Sequence, residues 1–189
     1  MANANNSIIT GKFKGTLGKE LVFREWQGKT IVAKAPKGRS GDPTPAQAET
    51  QDKFLLASQY AGAVIKSQDQ AMAEAYSAVL RPRQNVYSRA LEDFMTSPVV
   101  KSISTRNYNG AGGNKIAVRA IDDYRVVSIR VEIYAANGTL LEAGTAEQPT
   151  NGIDWTYTAT QANNPLAGSK IKAIATDVPG NEGALEVTL

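Results

Sequence analysis

The glycines at positions 11, 15 and 18 are the nearest this sequence comes to a phosphate-cradling loop. Such a loop presents backbone N–H groups to the phosphate, and it needs a strand before it and a helix N-terminus behind it. Neither is legible around these glycines, and no G-x-x-x-x-G-K-[ST] occurs, so they read as turn formers. The 189 residues contain no cysteine and no histidine. That removes disulfides, thiolate nucleophiles, zinc sites built on Cys or His, and Ser-His-Asp or Cys-His relays. Carboxylates remain. Asp122, Asp123, Asp177 and Asn181 could gather at one end of a β-domain and offer oxygen ligands to calcium. The plainer reading, adopted here, is that they shape turns. No spacing of Asp or Glu suggests the paired carboxylates of a glycosidase. The chain reads as a non-enzyme, with no catalytic, cofactor-binding or metal-ligating residue assigned.

The remaining candidate chemistry is electrostatic. Net charge is +3, but residues 1–39 hold Lys12, Lys14, Lys19, Arg24, Lys29, Lys34, Lys37 and Arg39 against only Glu20 and Glu25, a net of +6. Residues 40–96 come to −2 and residues 97–189 to −1. A basic segment of this kind suits an acidic partner surface. With Phe13, Phe23 and Trp26 interleaved it also suits nucleic acid, though simple solvation is the plainer alternative. Arg81, Arg83 and Arg89 form a second, smaller basic group, read as helix-end charges before an anion-binding patch.

Three kinds of element must position these residues. Residues 1–43 are a Gly-, Lys- and Asn-rich arm in which 21–26 and 30–33 read as a hairpin around Gln27-Gly28. A two-stranded hairpin has too little core to stand alone, so it needs the rest of the protein or a partner. Residues 44–97 read as three short helices. Thr44-Pro45-Ala46-Gln47 starts the first, Ser67-Gln68-Asp69-Gln70 the second, which runs to Arg81-Pro82, and the third spans about 85–96. The hairpin is expected to complete their small bundle. Residues 98–189 carry seven strand signals, near 99–105, 115–121, 126–135, 139–145, 153–159, 170–177 and 184–189. Val127, Ile129, Val131 and Ile133 alternate inward, and Asn137-Gly138 suggests a type I′ turn. The fold class is therefore α+β, with a seven-stranded antiparallel sandwich as its C-terminal half.

Two resemblances extend this reading. Residues 116–123 leading into 126–133, and 168–177 followed by Gly180-Asn181, resemble bacterial immunoglobulin-like or fibronectin-type repeats. There A-x-D-x-x-G-N spans the penultimate strand and the turn after it. The fold implied serves adhesion, spacing, glycan binding and virion decoration alike. The N-terminal part is similar to uncharacterised bacterial and phage proteins with a Gly-rich opening, a hairpin ending in a basic strand and a P-T-x-A-Q helix start. The matching residues are Gly11, Gly15, Gly18, Val22-Phe23, Gly28-Lys29 and Pro43-Thr44-Pro45-Ala46-Gln47. The context implied is viral or prophage-like.

Together these readings point to a structural component of a phage-like virion, such as a capsid or tail decoration protein, held by its basic N-terminal residues. Its partners would be protein subunits in a multi-copy assembly formed in the host cytoplasm. No cofactor is expected, and neither a secretion signal nor a membrane span is legible. Alternatives are a glycan- or host-surface-binding module using Trp155, Tyr134 or Tyr157, and a nucleic-acid-associated protein using the basic arm.

Overall fold

A computed structural model describes residues 2–3, 13–38, 41–66, 70–148 and 152–189. The chain divides into two compact units, Met1–Thr44 and Pro45–Leu189.

The first unit is a four-stranded antiparallel sheet in the order β1-β4-β3-β2, from β1 (Ala2–Asn3), β2 (Gly15–Leu17), β3 (Leu21–Trp26) and β4 (Lys29–Lys34). Its turns explain part of the glycine content. Gln27 and Gly28, at φ 56° and 72°, make the tight β3–β4 connection, where both residues must be left-handed. Gly18 and Lys19 do the same between β2 and β3, with the Glu20 N–H closing on the Leu17 carbonyl at 3.1 Å. Gly18 is thus a turn former; Gly11 lies outside the described residues. Among the described residues only Phe23 and Thr30 of this unit are buried, and Phe13 sits edge-on to Phe23 at 5.7 Å.

In the second unit α1 (Pro45–Lys66) begins directly after Thr44, where the cap and proline place it. The start signal of the second helix, residues 67–69, lies outside the described residues; α2 covers Gln70–Ser77, ending three residues short of the expected Leu80. The helix α3 (Val86–Met95) starts on a capping box, Asn85 accepting from the Ser88 N–H while the Ser88 hydroxyl accepts from Asn85. The three helices share a small core of Ala61, Val64, Tyr76 and Ala90. From outside the helices, Tyr124 and Val178 pack against it; both belong to turns of the β-region.

The seven strands of residues 98–189 are β5 (Val99–Ser104), β6 (Lys115–Ile121), β7 (Val126–Tyr134), β8 (Leu140–Thr145), β9 (Asp154–Thr158), β10 (Lys170–Asp177) and β11 (Glu182–Thr188). They form two antiparallel sheets, β5-β6-β9 and β11-β10-β7-β8, and both contribute to one core. Val100, Ile116, Val118, Trp155 and Tyr157 come from the first sheet, and Ile129, Val131, Ile133, Ile171, Ala173 and Ala175 from the second. Alternation along β7 holds from Ile129 to Ile133 but not at Val127, which is exposed. The β7–β10 register shifts at Thr176/Asp177, and Val126 takes the core place instead. The β7–β8 turn also departs from expectation. Gly138 is left-handed (φ 83°), Asn137 is not, and the Gly138 N–H closes on the Ala135 carbonyl at 2.8 Å. This is a type I turn with a bulge glycine in a three-residue loop, not the type I′ turn that Asn-Gly suggested.

Where β11 passes the start of β5, the backbones approach so closely that a Cβ on Gly183 would lie 1.7 Å from the Pro98 carbonyl oxygen. Backbone on both sides leaves nothing flexible to move. Gly183→Ala should therefore lower unfolding free energy by roughly 3 kcal/mol, read from the urea midpoint at unchanged slope. A variant as stable as the parent would show that the two strands are not in this contact.

Candidate interaction surfaces and a buried polar junction

The basic residues do not form one patch. Lys12 and Arg39 lie outside the described residues; Lys14, Lys19, Arg24, Lys29, Lys34 and Lys37 are all exposed. Residues paired across an antiparallel ladder share a face, and neighbours along a strand alternate. The pairs Leu21–Lys34, Phe23–Val32 and Glu25–Thr30 therefore lie on one face, and Val22–Ala33, Arg24–Ile31 and Trp26–Lys29 on the other. Lys34 shares the face of Phe23. Arg24 and Lys29 share the face of Trp26, whose indole is 60% exposed beside a shallow recess of about 310 Å³ lined by Arg24, Glu25, Trp26 and Ile31. Lys14 holds Glu25 at 2.6 Å, which keeps that carboxyl below its usual range. The structure thus brings together Arg24, Lys29 and Trp26, and separates Lys34 from them.

The aromatic residues of the β-region are placed for packing. Trp155 and Tyr157 are core residues, with Tyr157 lying against Gly144. Burial, with Glu142 nearby, pushes the Tyr157 hydroxyl up to about 12. Tyr134 is half-buried and donates to Glu132 at 2.7 Å. An exposed aromatic platform for a glycan is therefore not built from Trp155 and Tyr157.

The acidic and arginine candidates meet where α3 reaches the β-region. Arg89, 3% exposed, donates through Nη1 to Asp123 Oδ2 and through Nη2 to the Asp123 carbonyl at 2.6 Å. It also reaches Glu92 at 3.2 Å. Arg81 closes the cluster, donating to Glu92 at 2.7 Å and to Asp123 Oδ1. Burial alone would raise the Asp123 carboxyl, but the two guanidinium groups hold it below its ordinary range. Arg81 and Arg89 are therefore internal ties. Arg83 stands apart, exposed in the α2–α3 turn with φ 70°.

Asp122 and Asp177 shape turns, as the plainer reading expects. Asp122 Oδ2 accepts from the Tyr124 and Arg125 N–H groups at 3.2 and 3.0 Å. Asp177 accepts from the Asn181 N–H at 2.6 Å and from its side chain at 2.8 Å. Asn181 in turn donates to the Phe94 and Thr96 carbonyls at 3.1 and 3.4 Å, and Lys53 to the Met95 carbonyl at 3.2 Å. These bonds satisfy carbonyls at the C-terminus of α3 that have no partner within the helix. Among the described residues no three His, Cys, Asp or Glu side chains are placed to hold a metal ion, and no helix is long and apolar enough to cross a membrane.

Sequence reasoning passed over the residue at the centre of this junction. Asp93 is fully buried; its Oδ2 accepts from the Tyr76 hydroxyl at 2.6 Å, and Tyr76 is linked to the Tyr60 hydroxyl at 2.8 Å. Its Oδ1 has no hydrogen-bond partner among the described residues. The available signal was positional, because Asp93 stands at i+7 from Val86 and i+3 from Ala90 on the face that packs inward. Burial pushes its carboxyl up to about 6; Asp122 and Asp177 push the same way, against Tyr76 and Arg89.

No family model matches this chain, and no curated protein does. Among solved structures it is similar to an engineered protein at 19% identity, covering 53% of this chain and 21% of that one, with a TM-score of 0.30. It is similar also to an endonuclease/exonuclease/phosphatase from Beutenbergia cavernae at 15% identity, covering 43% and 21%, with a TM-score of 0.27. The chain spans about a fifth of each. At such scores the two likenesses decide nothing about it.

The raised carboxyl has a consequence for stability. Asp93 is neutral in the fold up to about pH 6, whereas in the unfolded chain it ionises near its ordinary 3.8. Its proton therefore favours the folded state at acid pH, and that advantage is lost as pH rises from about 4 through 6. The difference is on the order of 3 kcal/mol. Burial also raises Asp177, which slopes the same way, so the test is a comparison. Urea unfolding from pH 4 to 8 should show that Asp93→Asn loses most of the fall seen in the parent. Parallel curves would mean that Asp93 does not titrate in this window.

Proposed function

We propose that this chain is a non-enzymatic assembly protein that docks on an acidic protein surface through its N-terminal sheet. The observation that carries the reading is the imbalance of the first unit. It is a separate compact unit with two buried residues among those described, yet it exposes Leu17 and Leu21 on the face of Phe23 and, on the other face, Trp26 together with Arg24 and Lys29. A small sheet with so little core gains stability by covering such a surface. Cations around an aromatic centre are the composition of a docking face for an acidic partner.

The larger unit is read as an immunoglobulin-like sandwich carrying the helices at one end. Its first, second and fifth strands share one sheet and its third, fourth, sixth and seventh the other, an order that supports the assignment. That fold leaves function to whatever surface it bears. The setting that the N-terminal resemblance favours is a phage-like particle, with the chain as an auxiliary component of capsid or tail.

Removal of residues 1–39 should leave a soluble, folded chain, checked by circular dichroism, that no longer co-purifies with particles. Arg24→Glu with Lys29→Glu in the full chain should weaken particle binding by about a factor of ten or more, as expected for charges steering an interface. Undiminished incorporation of either would sink the proposal. The grouping of Trp26 with Arg24 and Lys29 favours one second reading, a single-stranded nucleic acid stacked on the indole. In that case affinity for an oligonucleotide should fall steeply with salt and be lost in Trp26→Ala.

A further inference from the structure

The helix α1 buries one side, through Ala57, Ala61 and Val64, and leaves an apolar seam on another. Leu55 and Ile65 are 56% and 51% exposed, and Phe54 stands beside them. Positions 51, 55, 58, 62 and 65 follow the alternating four-and-three spacing by which helices pair along a seam. A recess of about 500 Å³ opens along its first half, lined by Thr50, Gln51, Phe54, Leu55 and Ser58. From Phe54 to Ile65 the only ionisable side chain is Tyr60, which belongs to the buried side. Neither an acidic nor a basic partner would find a complement here.

We propose that two copies of this chain pair through α1, antiparallel, about a two-fold axis beside position 60. The seam matches its own reverse. An antiparallel pair sets Leu55 of one copy against Ile65 of the other, and Ser58 against Gly62, so large meets large at the ends and small meets small in the middle. Gly62 supports a close approach from outside the chain. A Cβ there would meet nothing within 4 Å, so the protein's own packing does not require glycine in mid-helix, where it weakens the helix relative to alanine. The flanking charges select the direction. Asp52 and Lys66, both exposed, lie on one side of the seam at its opposite ends. Antiparallel pairing sets each Asp52 beside Lys66 of the other copy, whereas parallel pairing would leave the two charges at opposite ends of the seam with no ion pair between copies. A seam of about four turns is small for an interface, which places the dimer in the micromolar range.

This pairing does not rest on the proposed docking of the first unit, because the purified chain alone should show it. The absence of cysteine allows a test of register. The full-length variants Ser58→Cys and Gly62→Cys are oxidised with copper–phenanthroline separately and as a mixture. Seam pairing predicts disulfide dimers forming several-fold faster in the mixture, about five-fold or more, since each thiol faces the other variant's position and not its own. Leu55→Glu, at an exposed site, should keep the circular dichroism spectrum and weaken the dimer by about a hundred-fold in sedimentation equilibrium. The proposal is overturned by a chain that stays monomeric to millimolar concentration. Equal cross-linking in all three samples, or a dimer unaffected by Leu55→Glu, overturns it as well.

Discussion

A guanidinium taken out of water must have its charge answered on the spot, and Arg89 meets that demand chiefly with a residue from outside its own helix. The side chain and carbonyl of Asp123 supply most of the answer and Glu92 the rest, while Arg81 holds those carboxylates from the solvent side. Breaking a buried pair by removing one member typically costs about 3–5 kcal/mol, far more than an exposed pair contributes. Because Arg89 lies on α3 and Asp123 in the β6–β7 turn, that penalty ties the helices to the sandwich-like sheets. The Tyr124 ring, tilted by 35° against Tyr76 at 4.8 Å with Arg89 and Arg125 near its face, fills the space between them. The helices keep a small core of their own, which Tyr124 and Val178 join from the β-region.

The same junction shows one residue type put to opposite uses by its surroundings. Asp123 lies between two guanidinium groups and stays ionised readily. Asp93, one turn along α3 from Arg89, has a tyrosine hydroxyl for a partner and two other carboxylates within electrostatic reach, and it resists ionisation. Such an arrangement can look like a cation site in sequence, where Asp122, Asp123, Asp177 and Asn181 seem poised to converge. In the fold they serve three separate ends: Asp122 a backbone turn, Asp123 two arginines, and Asp177 with Asn181 the end of α3.

What was legible in the sequence follows the strength of local signals. The strands of the β-region read within two residues because alternation with β-branched side chains is a period-two signal that little else mimics. The inward placement of Ile129, Val131 and Ile133 followed from it, and failed at Val127 where a register shift intervened. The turn at Asn137-Gly138 was read in the right place with the wrong geometry, because a dipeptide does not fix loop length. The grouping of the cations was not legible at all. Charges along residues 12–39 look continuous, yet a strand sends neighbours to opposite faces, so only the ladder register shows that Lys29 joins Trp26 and Lys34 joins Phe23. Asp93 was hidden for the opposite reason: its helical position marked it as buried, but its residue type argued against burial.

The two surfaces proposed for contact differ in chemistry, and the difference has a physical consequence. The N-terminal sheet offers lysine and arginine around an exposed indole, a face whose attraction to an acidic partner weakens as salt rises. The α1 seam offers uncharged side chains between one acidic and one basic end, a face that salt leaves nearly unchanged and that only a surface of matching size pattern can fill. Neither face competes for the other's partner, because a cationic sheet gains nothing from an apolar seam and an apolar seam gains nothing from carboxylates. A chain so equipped could pair with a copy of itself and engage an acidic surface at once, and two linked basic sheets would then bind with the added strength of divalency.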